Sequence, residues 1–156
     1  MSLPLSRSSV KFVVLSCAVL TVMFGLIASP ALTHNTGESS FSPCDKTKTL
    51  SDYQKELKAN PRSSLANYCA GGLLFAERRY EESGNAYHAS LSGDGNPKWT
   101  KVWSYIQFGR IFDTVGESER AVEYYQLAIK TGDNTGNAME IARDLLKHPF
   151  QRPATR

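Results

Sequence analysis

The sequence predicts an all-α protein: a short solenoid of helix–turn–helix units, preceded by an N-terminal hydrophobic helix. Three observations lead there. No segment from Ser51 onward alternates with the period of two that a strand needs. Small and aromatic residues recur through that region at separations of 38 and 34 positions. Ahead of it, Phe12–Ala28 runs seventeen residues without a charge behind a start that carries Arg7 and Lys11.

That start has the layout of a signal peptide or a signal anchor. A secretory apolar core is about 7–15 residues long and a spanning helix needs about 20, so the run falls between the two. Ser29-Pro30-Ala31 supplies small residues suited to cleavage after Ala31, and Pro30 ends any helix there. The basic start keeps the N-terminus in the cytosol and sends the rest across the membrane. Two outcomes stay open. Cleavage makes the protein secreted or periplasmic. Retention makes it membrane-anchored, facing the periplasm or the extracellular side. Cys17 reads as an ordinary residue of this segment.

The organisation that follows is a targeting segment over 1–31, a flexible spacer over 32–50, a helical domain over 51–148 and a basic tail over 149–156. The spacer mixes Thr, Asn, Gly, Ser and Pro. A chain of 156 residues has room for one modest domain besides such a segment. The formal net charge is +3. Beyond residue 31 it falls to sixteen basic against fifteen acidic residues, which gives no electrostatic case for nucleic acid.

Within the domain, Ser51 is the expected N-cap of a first helix that stops at Asn60-Pro61. Ser63 or Ser64 caps a second, which runs to about Arg78. Tyr80–Leu91 is a third. Ser92–Pro97 is a loop, and Lys98–Thr114 is a long helix rich in aromatic residues. Gly116 breaks it, and Glu117–Lys130 follows as an amphipathic helix. A last helix spans roughly Thr135–His148, where Pro149 stops it.

Tyr105-x2-Phe108-Gly109-x2-Phe112, a turn at Gly116, then Ala121-x3-Tyr125-x2-Ala128 form one unit. A weaker copy is Asn67-x2-Ala70-Gly71-x2-Leu74 with Ser83-x3-Tyr87-x2-Ser90. Gly71 and Gly109 lie 38 positions apart, and the Ser92–Pro97 loop absorbs the extra length at little entropic cost. Met139, Ala142 and Leu146 each fall 34 positions after Tyr105, Phe108 and Phe112. These segments resemble the tetratricopeptide repeat (TPR) family, whose repeat of about 34 residues pairs two helices. The resemblance covers Ser51–His148, with two full copies and a half-repeat on either side. Stacked copies are needed because one helix pair cannot bury both faces.

In that family the first helix of each repeat lines a concave groove that binds extended peptides or partner helices. The resemblance puts Tyr68, Phe75, Trp103, Ile106, Gln107, Arg110 and Asp113 on such a groove, with Leu65, Cys69, Gly72, Asn137 and Ile141 extending it. Tyr, Trp and Arg are the residue types that anchor interfaces. The other reading, which stays open, is that Trp103 and Tyr68 pack against neighbouring helices. Tyr68, Gly72 and Gln107 stand where some members carry a clamp for a terminal carboxylate, so a clamp is not expected. The implied role is a non-catalytic adaptor or scaffold that binds another protein or peptide. The alternative is a structural subunit that self-associates or stacks in a larger envelope assembly.

Cys44 and Cys69 both fall on the exported side, where an oxidising compartment permits a disulfide between them. The alternative is a buried helix cysteine and a free loop thiol. Neither has a second cysteine nearby, so no zinc site is expected. His34, His88 and His148 lack partners at catalytic spacing, and no Gly-x-Ser-x-Gly, HExxH or P-loop pattern occurs. No catalytic residue, metal or cofactor is expected.

Overall fold

The computed structural model describes residues 41–152. The expected apolar helix over residues 12–28 and residues 32–40 of the spacer lie outside this range. The described residues form six α-helices and one 3₁₀ turn, with no strand among them. No helix among them is long and apolar enough to cross a membrane.

Helix α1 covers Leu50–Ala59. Its cap is Thr49 rather than Ser51. The Thr49 hydroxyl accepts from the Asp52 N–H, and the Asp52 carboxylate accepts from the Thr49 N–H at 3.0 Å. This reciprocal pair satisfies donors that a helix start leaves open. Hydrogen bonds from the Thr49 hydroxyl and N–H hold the Asp52 carboxyl at about 2.

Helix α2 covers Ser64–Ala76 and is capped by Ser63, whose hydroxyl accepts from the Ala66 N–H at 3.2 Å. Helix α3, Tyr80–Leu91, returns along it. The Ser83 hydroxyl donates to the Gly71 carbonyl at 2.8 Å, and the Ser90 hydroxyl donates to the Ser64 carbonyl at 2.9 Å. These two rungs fix α2 and α3 as an antiparallel pair.

The loop that follows is tied down. The Asp94 carboxylate accepts from the Ser64 and Asn96 N–H groups, each at 3.0 Å, and these backbone bonds lower its pKa. Its own N–H donates to the Arg62 carbonyl at 2.7 Å.

Helices α4, Thr100–Thr114, and α5, Ser118–Lys130, form the second pair. Helix α4 starts two residues later than Lys98, after a cis Asn96–Pro97 bond. The last helix, α6, covers Ala138–Lys147. It begins later than Thr135 because Gly136 and Asn137 take positive φ values of 64° and 60°, which limits Thr135–Asn137 to a 3₁₀ turn.

The pairs pack on one another through α3 and α4. There the Ser104 hydroxyl donates to Ser90 at 3.1 Å and Tyr87 meets Phe108 at 6.2 Å between ring centroids. An aromatic row continues from Phe108 to Tyr124 at 4.8 Å and on to Phe112 at 5.2 Å. Tyr87, Val102, Trp103, Ile106, Ala121 and Tyr125 are the fully buried centre of the domain.

Candidate functional site

Two helices carry the residues expected to line a groove: Tyr68 and Phe75 on α2, and Trp103, Ile106, Gln107, Arg110 and Asp113 on α4. Their placements differ sharply. Trp103 is 1% exposed and Ile106 is 0% exposed, so neither presents a surface. The Trp103 indole N–H donates to the Thr135 carbonyl at 3.0 Å, and Phe41 stacks on its ring at 4.9 Å. A large apolar ring with one N–H is well served in a core that offers that donor an acceptor.

Tyr68 is also buried, between Trp99 at 5.3 Å and Tyr87 at 5.5 Å. Its hydroxyl accepts from the Gln107 side chain at 3.4 Å. Burial raises the Tyr68 pKa, and the Gln107 bond opposes this. Gln107, Arg110, Asp113 and Phe75 are half-buried.

Two segments of the same chain lie on this face. Residues 41–49, read from sequence as the end of a flexible spacer, cross one end of it. Phe41 packs on Trp99 and Trp103, and Cys44 is joined to Cys69 of α2 by a disulfide with Cα atoms 5.6 Å apart. Lys48 then pairs with Glu56 of α1. Closing a loop of 25 positions restricts the unfolded chain enough to stabilise the fold by roughly 3 kcal/mol.

Residues 149–152 cross the other end. The Phe150 N–H donates to the Asp113 carboxylate at 2.8 Å. The same carboxylate oxygen accepts from the Tyr125 hydroxyl at 2.7 Å. The Phe150 ring lies 6.1 Å from Phe75 and 5.2 Å from the Arg110 guanidinium. Arg152 donates to the carbonyls of Phe75 and Ala76 at 2.9 and 2.8 Å and to the Tyr80 hydroxyl at 3.0 Å. The last carbonyls of a helix lack intrahelical donors and carry the negative end of its dipole, so a cation fits there.

Under the leading segment lies a cavity of about 280 Å³. Phe41, Tyr53, Tyr68, Tyr87 and the disulfide form its walls, and Lys46 and Lys48 also line it. Gly72 opens it to solvent: a Cβ there would meet only the Tyr87 hydroxyl, at 3.7 Å. Aromatic walls with the Tyr68 hydroxyl and Gln107 amide suit an apolar side chain with a polar tip. No group of three or more His, Cys, Asp and Glu able to hold a metal occurs among the described residues.

Sequence reasoning missed Phe41, Phe150 and Arg152 as parts of this face. The available signal was modest: an aromatic residue and an arginine two positions apart, directly after a helix stop. Compared with known proteins, the chain matches no family model and no curated protein.

Proposed function

We propose that this chain is a non-catalytic protein-binding module of TPR-like solenoid build, acting on the exported side of a membrane. It docks an extended segment of another protein on the face shared by α2 and α4. The observation that carries this reading is that the face already holds two non-helical segments of its own chain, residues 41–49 and 149–152. It holds residues 149–152 by a backbone N–H on a carboxylate, a ring in an aromatic niche and a cation on helix-end carbonyls, and residues 41–49 by a disulfide and the Phe41 ring. The 38-position echo of Gly71, Ser83, Tyr87 and Ser90 in Gly109, Ala121, Tyr125 and Ala128 supports the repeat build. The disulfide supports an oxidising compartment.

Gly72 gives a direct test, because the space above it tolerates a side chain. A photoreactive residue placed at position 72 of the full-length chain is activated in membranes of the source cells. The expected result is a discrete adduct with another protein. The same group placed at exposed Glu123 on α5 is the control. An identical adduct pattern from both positions would sink the proposal.

A further inference from the structure

The two segments on the α2/α4 face are held differently. The leading one is fixed by a covalent bond, Cys44 to Cys69, and by Phe41 wedged on two tryptophans. Residues 149–152 are held by hydrogen bonds and ring contacts alone. They can therefore leave without breaking a covalent bond.

Their pattern is that of a bound peptide. Pro149 and Gln151 are exposed, whereas Phe150 and Arg152 are half-buried against the helices. Alternate residues of an extended chain point to opposite sides, so one side faces the protein and the other the solvent. Each inward residue meets a distinct acceptor. Phe150 fills the niche between Phe75 and Arg110 while its N–H reaches Asp113. Arg152 lies over the rings of Phe75 and Tyr80, at 5.3 and 5.9 Å, with its N–H groups on the last carbonyls of α2.

We infer that residues 149–152 are a built-in substitute for the ligand, and that this end of the face binds an extended peptide bearing an aromatic residue and, two positions on, a cationic one. The inference rests on the docking reading above and specifies both the ligand and its regulation. A partner gains this end of the face only by displacing the segment. The aromatic residue must present its N–H to Asp113, and the cation must reach the end of α2. An acidic residue at the second position would face helix-end carbonyls and be rejected. Intramolecular binding of the segment corresponds to a millimolar effective concentration, so it raises the concentration of partner needed.

The test uses full-length protein in detergent and a fluorescein-labelled peptide with the sequence of residues 148–156. Anisotropy is read against wild type and against the double variant Phe150→Ala plus Arg152→Ala. The variant is expected to bind the peptide at least about tenfold more tightly than wild type, since its own segment no longer competes. A peptide with alanine in place of both the Phe and the Arg should not bind. If the double variant does not fold, Arg152→Glu decides, because it keeps the Phe150 ring and replaces the cation with a carboxylate that the last carbonyls of α2 repel, which loosens the segment. A folded variant that binds no peptide, or that binds the alanine peptide equally well, overturns the inference and makes the segment a fixed cap. That result leaves the adduct at position 72 untouched, because position 72 opens on the cavity under the leading segment. The docking reading therefore stands or falls separately.

Discussion

The two helix pairs close on themselves by different chemistry. In α2/α3 the contact positions are Gly71, Ser83, Tyr87 and Ser90. In α4/α5 they are Gly109, Ala121, Tyr125 and Ala128, each 38 positions later. The first pair is tied by buried serine hydroxyls that donate to backbone carbonyls. The second has alanine at both serine positions; its hydroxyl tie is Tyr125 to the Asp113 carboxylate of α4, and its tyrosine ring is pressed closer to the glycine. An ideal Cβ on Gly71 would lie 2.9 Å from the Tyr87 ring, whereas one on Gly109 would lie 2.2 Å from the Tyr125 ring. The serine-to-carbonyl bonds of the first pair thus have no counterpart in the second, where a closer ring contact and a tyrosine–carboxylate bond join the helices. The tyrosine that lies on the glycine is the feature common to both.

The largest expected effect follows from that difference. Gly109→Ala puts a methyl group where the Tyr125 ring sits, and Tyr125 is pinned by its bond to Asp113. Overpacking of this kind costs about 3 kcal/mol, well above the roughly 1 kcal/mol that alanine returns in helix propensity. Gly71→Ala requires a ring shift of only a few tenths of an ångström, and its net cost is expected to stay below about 1 kcal/mol. Urea unfolding of the two variants checks this. Equal losses would mean that the pairs are equally tight and the contrast is false.

Much of this was legible in the sequence, because it is local. Asn60-Pro61, Gly116 and Pro149 mark helix ends, and the small residues at Gly71 and Gly109 mark helix–helix approach. The helix starts were less legible. A Thr-x-x-Asp box at Thr49 competes with Ser51 as a cap, and only the backbone shows which serves. Positive φ at Gly136 and Asn137 likewise delays α6 in a way the apolar pattern does not announce. The occupants of the α2/α4 face were the least legible. Phe150 reaches Asp113 across 37 positions and Arg152 reaches Phe75 across 77. Periodicity within a helix says which face is apolar, and nothing about which distant segment covers it. Trp103 was therefore readable as a groove residue or a core residue, and Phe41 decides for the core.

The tyrosines sharpen the comparison at the next level. Tyr125 donates to a carboxylate, whereas the polar side chain beside the Tyr87 hydroxyl is Ser83. Hydrogen bonds to charged groups contribute about 1.5–3 kcal/mol and neutral ones about 1. Tyr125→Phe should therefore cost roughly twice as much as Tyr87→Phe. Both tyrosines have raised pKa values, Tyr87 through burial and Tyr125 through burial and then the bond to Asp113. A raised tyrosine pKa means that the folded state holds the proton more tightly than the unfolded chain. The stabilisation is complete below the ordinary value of 10.0 and declines as the pH climbs above it towards the folded-state value. Each such group steepens the loss by about 1.4 kcal/mol per pH unit. Tyr125→Phe should make the alkaline loss shallower by that amount in unfolding titrations between about pH 10 and 12. An unchanged slope would show that Tyr125 does not hold its proton as the fold requires.

The smallest expected effect is the most discriminating. Ser83→Ala converts the first pair to the chemistry of the second and removes the bond to the Gly71 carbonyl, at a cost of about 1 kcal/mol. Ala121→Ser makes the reverse change. The second pair is pressed closer at its glycine, so the register of the two helices decides the outcome. If α5 stands against α4 as α3 stands against α2, the new hydroxyl finds the Gly109 carbonyl, and stability stays within about 0.5 kcal/mol of wild type. If the closer approach has shifted that register, a buried hydroxyl goes unpaired and the loss rises to about 1–3 kcal/mol. Near-zero change would therefore show the two pairs to be one geometry with interchangeable fastenings. A loss at the upper end would show that the steric solution around Gly109 and Tyr125 displaced the helices it joins.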